Sequence, residues 1–392
     1  MNRNLWLLAA AQGLFLTNNV TFIAINGLVG LSLAPMGWMA TLPVMGYVVG
    51  GALSTGLVAR TQHRFGRKVS FQLGLLVAFA SALLCAYAAL SHQFWLLVAG
   101  TLIAGYYSAN GQLYRFAAAE LAAPDYQEKA VSLVMAGGLL GAVIGPNLAK
   151  HSKSLVSVPF VGAYLALAAV ALLCMLLIAG LQFAPLSNKD GNRKVGRPLW
   201  VIVRQPVFIV STAGAALGYG VMNLLMAATP LAMQVCGLPF EDAALTLQWH
   251  VIGMFAPGFF TGHLIRRFGV LPMMSLGVLL NAACIAVALT GVELHQFVLA
   301  LFLLGVGWNF LFTACTTLSL RAYRPEEKDR AQAAINFCVF AVMAVTSFAS
   351  GALVTTQGWT WLNLGALIPV LLTGLALVWL ALQRPASDSH SI

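Results

Sequence analysis

Long apolar stretches, each separated from the next by a short polar turn, follow one another along the whole chain. An α-helix needs about 20 mostly apolar residues to cross a bilayer. Measured against that length, the chain contains twelve stretches, at residues 5–32, 37–59, 69–91, 94–117, 130–149, 156–182, 200–233, 243–265, 270–291, 295–319, 331–355 and 359–383. The pattern therefore predicts an all-α membrane protein with twelve transmembrane helices.

One connection is longer and more hydrophilic than the others. It covers residues 184–198 and contains four basic side chains, Lys189, Arg193, Lys194 and Arg197. It also separates the first six stretches from the last six. We therefore predict two six-helix bundles, at residues 1–183 and 199–392, joined by a central loop at residues 184–198.

The composition narrows the class of protein further. Hydrophobic residues make up 60% of the 392 residues and charged residues only 8%, whereas charged residues make up about 25% of a soluble domain. The six cysteines are scattered without a CxxC pair, which argues against a disulfide scaffold. The chain also lacks the G-x-x-x-x-G-K-[ST] loop that binds ATP phosphates. We expect no covalent chemistry and no bound cofactor, so the protein is not predicted to be an enzyme.

The distribution of basic residues predicts the orientation in the membrane. An even number of spans places both termini on the same side. If that side is the cytoplasm, 19 of the 21 Lys and Arg residues fall in cytoplasmic loops, span ends or tails, and only Lys150 and Lys153 fall outside. This asymmetry satisfies the positive-inside rule. It also explains the net charge of +10 without a nucleic-acid partner.

A short motif occurs twice, six stretches apart. Arg-Phe-Gly follows the second stretch at residues 64–66 and the eighth stretch at residues 267–269. Both turns resemble the loop signature of the major facilitator superfamily, Gly-x-Leu-x-Asp-Arg-x-Gly-Arg-Arg/Lys, although His63 and Arg266 stand where that family has Asp. The resemblance implies a major facilitator fold. It also implies a conformational loop motif made of Arg64, Gly66, Arg67, Arg267 and Gly269.

The fifth stretch contains a glycine-rich segment, Gly-Gly-Leu-Leu-Gly-Ala-Val-Ile-Gly-Pro, at residues 137–146. The segment resembles the glycine-rich motif of the fifth helix in the same superfamily. Its composition is equally typical of close helix packing by small residues. The sequence leaves both interpretations open.

Ionisable groups are rare inside the predicted spans. All eleven Asp and Glu residues fall in loops or at span ends, which leaves His250 as the clear intramembrane ionisable group. Such a residue indicates a functional site by default. The alternative is a neutral histidine hydrogen-bonded to a neighbouring helix. Met254 lies four residues after His250, and Met226 lies four residues after Met222, so each pair shares one helix face.

These two pairs predict a metal site if the seventh and eighth stretches form an antiparallel hairpin. In such a hairpin Met226 lies level with His250, and Met222 lies level with Met254. Three thioethers and an imidazole would then face one another, a soft donor set suited to copper, above all Cu(I). Methionines on a helix face are also ordinary packing residues.

The M-x-x-x-M and H-x-x-x-M motifs, with the segment at residues 253–262, resemble the CcoA-like copper importers, a branch of the major facilitator superfamily. The resemblance implies import of copper by alternating access across a bacterial inner membrane, for the assembly of cytochrome oxidase. It implies that the metal is bound by Met222, Met226, His250 and Met254. Cys236, near the turn between the two stretches, resembles a family cysteine implicated in thiol redox chemistry, and an inert thiol is the alternative.

A sister group with a similar sequence, the RfnT-type riboflavin transporters, provides the alternative function. A solute with a flat ring would stack on aromatic side chains of the spans. The candidates for this role are Tyr106, Tyr107, Trp249 and Trp308. In-span amides such as Gln12, Asn19 and Asn336 line the path of such a solute or only bridge helices. For either solute we expect a monomer in the lipid bilayer.

Overall fold

The computed structural model describes residues 3–122, 127–183 and 196–383, and every regular element in these ranges is a helix. The first half contains α1 (Arg3–Leu33), α2 (Leu42–Leu90), α3 (Phe94–Gly111), α4 (Tyr114–Leu121), α5 (Gln127–Ser152) and α6 (Val161–Ala179). The second half contains α7 (Leu199–Val203), α8 (Pro206–Val235), α9 (Phe240–Phe255), α10 (Gly258–Phe268), α11 (Val270–Ala288), α12 (Leu294–Ser319), α13 (Lys328–Thr356) and α14 (Gly358–Leu382). Short 3₁₀ helices lie at Gly37–Met39 and Pro325–Glu327. Most of the predicted central loop, residues 184–195, lies outside the described residues.

These helices account for the twelve predicted spans. Nine helical stretches in the described part of the chain are long and apolar enough to cross a membrane. One of them, Gly37–Leu90, contains two spans, because non-helical backbone at Gly66 interrupts α2. Two further spans are divided into shorter helices, α3 with α4 and α9 with α10. The predicted all-α architecture is confirmed.

The repeated Arg-Phe-Gly motif forms the same sharp turn in both halves. Gly66 has φ 84° and ψ 166°, and Gly269 has φ 91° and ψ 164°. Residues with a side chain rarely adopt this backbone conformation, whereas glycine adopts it readily. Each turn ends one span and begins the next, so the two glycines reverse the chain at equivalent places.

Close packing of α1 against α5 organises the first bundle. A Cβ atom at Gly137 would lie 2.1 Å from the carbonyl oxygen of Ala9, and one at Gly141 would lie 2.6 Å from the Cβ of Leu16. The backbones approach so closely that only glycine fits at these positions. The glycine-rich segment of α5 therefore has a packing role.

In the second bundle, α12 packs against both α8 and α9. At the crossing of α9 and α12, a Cβ atom at Gly305 would lie 2.3 Å from the carbonyl oxygen of His250. By contrast, α8 packs chiefly on α12, α13 and α14 and touches α9 only slightly. The seventh and eighth spans are therefore not the simple packed hairpin from which the matched depths of the metal site were predicted.

The two ends of the molecule differ in how the bundles meet. We call the end that holds Arg3 and Leu382 the terminal face and the opposite end the distal face. Near the distal face, the backbone nitrogen of Gly351 donates a 3.0 Å hydrogen bond to the hydroxyl oxygen of Thr41, which joins α13 to the start of α2. There α5 also packs against α9. These contacts hold the bundles together on the distal side.

Candidate functional site

A cavity of about 230 Å³ lies between the two bundles. Its walls are formed by α1 to α5 of the first bundle and by α8, α9, α12 and α13 of the second. The lining residues lie near the middle of these helices and toward the terminal face. Inter-bundle contacts therefore close the distal side of a central site.

The wall contributed by the second bundle is aromatic. Trp308 and Phe312, which are one helical turn apart on α12, have stacked rings with centroids 5.2 Å apart and an interplanar angle of 10°. The ring of Tyr219 meets both edge-on, with centroid distances of 5.3 Å and 5.4 Å. Aromatic faces assembled in this way offer a large, rigid and apolar contact surface to a flat ring.

The wall contributed by the first bundle carries amide and hydroxyl side chains among its apolar ones. Gln12 and Asn19 of α1, Tyr47 of α2 and Gln112 after α3 line it. The amide nitrogen of Asn19 donates a 3.3 Å hydrogen bond to the hydroxyl oxygen of Tyr47. These groups are both donors and acceptors, so this wall is suited to hydroxyl and amide groups of a solute.

The four predicted metal ligands do not all face the cavity. Met222, Met226 and Met254 are among its lining residues. His250 is fully buried and is not in the lining; its Nδ1 donates a 2.7 Å hydrogen bond to the carbonyl oxygen of Leu301 on α12. The Nε2 atom of His250 has no hydrogen-bond partner among the described residues. The structure thus brings three of the four predicted side chains into one wall.

Cys236 lies outside the cavity, at the end of α8. It is a free and exposed thiol. Partial desolvation raises the pKa of this thiol, which reduces the fraction present as the reactive thiolate. A redox role for Cys236 stays a prediction.

The loop-motif residues lie at the terminal face. The guanidinium of Arg64 lies 5.1 Å from the centroid of the Phe65 ring, and that of Arg267 lies 5.3 Å from the centroid of the Phe268 ring. Arg67 forms an ion pair with Glu120 of α4. The motif thus links the turn of α2 to a neighbouring helix.

Of the four aromatic residues considered for a flat solute, Trp308 lines the cavity. Trp249 is 44% exposed on the outer surface, where it packs edge-on against Phe302. Tyr106 donates a hydrogen bond to Thr61, and Tyr107 is buried inside the first bundle. The aromatic side chains that the sequence did not single out include Tyr47, Tyr219 and Phe312.

Arg115 is a further lining residue that sequence reasoning missed. It lies at the second position of α4 and is one of the residues that line the cavity. The sequence places it near the end of the fourth predicted span, where it counts as an ordinary basic residue of the cytoplasmic side. The break between α3 and α4 at Gln112 and Leu113 redirects the chain, and hydropathy does not reveal such a break.

Two helical bundles of equivalent build, with a central site between them that is closed on one side, are the architecture of a secondary transporter. Comparison with known families agrees with this class. The chain belongs to the Major Facilitator Superfamily, whose family model matches residues 5–258 and 244–392.

Individual relatives make the comparison more specific. The chain is 38% identical over 364 residues to the riboflavin transporter RfnT of Brucella anthropi, covering 92% of this chain and 91% of the relative. It is 27% identical over 358 residues to YddS of Bacillus subtilis, an uncharacterized transporter of the superfamily, covering 87% of this chain and 82% of the relative.

Solved structures show the same fold at low sequence identity. The human organic anion transporter MFSD10 (TETRAN) superposes with a TM-score of 0.69 at 16% identity, covering 96% of this chain and 99% of that one. The POT family transporter PepTSo superposes with a TM-score of 0.73 at 11% identity, covering 98% and 99%. The major facilitator fold implied by the sequence is confirmed.

Proposed function

We propose that this protein imports riboflavin, or a solute with the same flat ring and hydroxylated chain, into the cytoplasm by alternating access. Both termini then lie in the cytoplasm of a bacterium, the carrier acts as a monomer in the inner membrane, and the cavity faces inward in the conformation described. The single observation that carries the proposal is the composition of the central cavity. Stacked aromatic rings on one bundle face amide side chains on the other.

This cavity suits both parts of such a solute. The fused ring of a flavin is flat and apolar on its faces, so it can stack beside Trp308 and Phe312. Its ribityl chain carries hydroxyl groups, which pair with amides such as Gln12 and Gln112. The name of the RfnT relative, which covers nearly the whole chain, supports the same class of solute.

Copper is the second candidate, because Met222, Met226 and Met254 line one cavity. Thioethers of this kind bind Cu(I). Against copper, His250 is turned toward α12. The organic solute therefore has the stronger support.

The test is uptake of riboflavin by bacterial cells that neither synthesise nor import it. Cells that express the protein should accumulate riboflavin and grow on low external riboflavin, whereas cells with the empty vector should not. Copper accumulation is measured in the same cells. A parent protein that accumulates copper but not riboflavin would overturn the proposal.

Two tryptophans provide a matched pair for the site. Trp308→Ala removes a stacking surface from the cavity and should raise the half-saturating riboflavin concentration about tenfold or more, since stacking on an aromatic side chain contributes about 1–3 kcal/mol. Trp249→Ala removes the same side chain from the outer surface and should leave uptake unchanged. Trp308→Phe, which keeps a ring, should retain most of the uptake. Membrane levels of each variant are compared by immunoblot.

A further inference from the structure

The charge of the central cavity is unbalanced. Arg115 is the one formally charged side chain in the described lining, and neither Asp nor Glu lines the cavity. Its Nε atom is buried and has no hydrogen-bond partner among the described residues. A charged group held inside a membrane protein is costly unless it is paired, and it usually marks the path of a substrate.

Two other arginines among the described residues form ion pairs. Arg67 binds the carboxylate of Glu120. Arg197 binds Glu327 through its Nε and a terminal nitrogen, both at 2.8 Å. Arg115 forms no ion pair among the described residues, although it lines the cavity between the bundles and the other two do not. Its missing partner is therefore expected to be the transported solute.

The position of Arg115 relates it to the aromatic wall. Arg115 belongs to the first bundle and Tyr219 to the second, and both side chains line the same cavity. Tyr219 in turn contacts the ring of Trp308, with centroids 5.3 Å apart. A flat ring that stacks on the aromatic wall would thus present one of its edges to the guanidinium.

The chemistry of a guanidinium restricts what that edge can be. Arginine carries five N–H donors in a planar fork and has no acceptor. It therefore matches an edge that displays acceptors side by side, such as a pair of carbonyl and ring-nitrogen atoms, or an oxyanion. The pyrimidine-dione edge of a flavin is such an edge. Stacking on aromatic rings leaves the acceptors of this edge without hydrogen-bond donors.

We infer that Arg115 is the specificity-determining residue of the cavity and binds the acceptor-bearing edge of the solute's flat ring. The inference rests on the proposed function and adds to it the part of the solute that is recognised. It assigns the ring edge to Arg115 and leaves the hydroxylated chain to the amides. Arg115 thereby supplies the selection for a dione ring over an apolar ring of the same size.

The experiment compares parent, Arg115→Gln and Arg115→Lys as full-length purified proteins and in cells. The probes are riboflavin, lumiflavin, which keeps the dione edge but has a methyl group in place of the ribityl chain, and flavin mononucleotide, which adds a phosphate. Binding is followed by flavin fluorescence, and riboflavin uptake is followed in cells. Arg321→Gln, at an exposed position after α12, is the control for loss of one positive charge.

Arg115→Gln should weaken the binding of riboflavin and of lumiflavin alike, by about tenfold to a hundredfold, because hydrogen bonds to a charged group are lost. Arg115→Lys should recover only part of the affinity, since a point charge does not reproduce the planar fork. Arg321→Gln should match the parent. Equal membrane levels and melting temperatures show that the variants are folded.

Three outcomes would overturn the inference. In the first, Arg115→Gln transports and binds riboflavin like the parent, which leaves the proposed function standing. In the second, the variant weakens the binding of riboflavin but not of lumiflavin, which places Arg115 at the ribityl chain. In the third, the parent prefers flavin mononucleotide and the variant loses that preference, which makes the group a phosphate ligand. A parent that binds none of the probes removes the proposed function as well.

Discussion

The ammonium of Lys153 lies 2.7 Å from the Oε1 atom of Glu241, and this ion pair connects the end of α5 to the start of α9 at the distal face. The same ammonium lies 5.3 Å from the centroid of the Phe240 ring. Two attractive contacts from one side chain therefore join the bundles at the point where they must separate for the cavity to open on the distal side.

Glu241→Gln should shift the carrier toward the conformation that is open at the distal face. The side chains are partly exposed, so the shift should be modest, about 0.2–1 kcal/mol. Spin labels at Leu155→Cys and Val292→Cys, with Cys236 and Cys338 replaced by Ser, report the distance between the bundles by pulsed electron resonance. A longer distance population should grow in the variant. An unchanged distribution would show that this ion pair does not hold the face closed.

The same pair predicts how closure depends on pH. Because Lys153 donates a hydrogen bond to the Glu241 carboxylate, the pKa of that carboxyl is lowered. A lowered pKa means that the ion pair is complete above the ordinary carboxyl pKa of about 4.3 and is lost as the pH falls through the lowered value. The labelled parent should therefore keep its distance distribution from pH 7 to about pH 5 and lengthen only in stronger acid. A change between pH 7 and pH 6 would assign closure to another group.

Glu327 should be needed for the stability of the second bundle. Its carboxylate is 1% exposed and accepts hydrogen bonds from the side chain of Arg197 and from the backbone nitrogen of Arg324. These bonds, with the Arg197 side chain first, lower the pKa of Glu327 to about 2. Their contribution to stability is therefore fully present above the ordinary carboxyl pKa, and it is lost as the pH falls from there toward the lowered pKa of about 2. Glu327→Gln should lower the melting temperature of the detergent-solubilised protein at pH 7.

The neighbouring carboxylate provides the control for this prediction. Glu326 is exposed, so Glu326→Gln removes the same charge without removing buried hydrogen bonds. It should melt like the parent. Equal melting temperatures for the two variants would mean that the bonds to Arg197 contribute nothing at this site.

Alanine at either turn glycine should destabilise the protein. The positive φ values of Gly66 and Gly269 cost a residue with a side chain roughly 1–3 kcal/mol. Gly56→Ala is the matched control, because Gly56 is in a regular part of α2 and a Cβ atom there meets no atom within 4 Å. That control should be neutral or stabilising by up to about 1 kcal/mol. Thermal unfolding in detergent ranks the three variants.

Two substitutions distinguish a structural role of His250 from a role in binding the solute. Its Nδ1 donates to the carbonyl oxygen of Leu301, and an asparagine side chain places an N–H donor at a similar distance from the backbone. If His250 only joins α9 to α12, His250→Asn should keep solute uptake, and His250→Leu should cost about 0.5–1.5 kcal/mol of stability. Loss of uptake in a folded His250→Asn variant would instead indicate that the imidazole contacts the solute.

Much of the fold could be predicted because it depends on local properties of the sequence. The length of each apolar stretch sets the number of spans, and the backbone freedom of glycine sets the turns at Gly66 and Gly269. Neither property requires knowledge of which helices are neighbours. The twelve spans and the repeated turn could therefore be predicted from the sequence alone.

The candidate site was harder to predict from the sequence, because it depends on which neighbouring helix each helix face contacts. The spacing of His250 and Met254 shows that they share a side of one helix. It does not show that His250 meets α12 while Met254 meets the cavity. The same applies to Trp249 and Trp308, which hydropathy treats alike although one lies on the outer surface and the other lines the cavity. Packing between distant segments decides these positions.

The matching φ and ψ angles at Gly66 and Gly269 are what the doubling of an ancestral gene segment would leave behind. The inner surfaces of the two halves nevertheless differ. Amides such as Gln12 lie on one side of the cavity, and the stacked rings of Trp308 and Phe312 lie on the other. A scaffold with nearly twofold symmetry thus encloses an asymmetric site, which suits a molecule with a different chemistry at each of its ends.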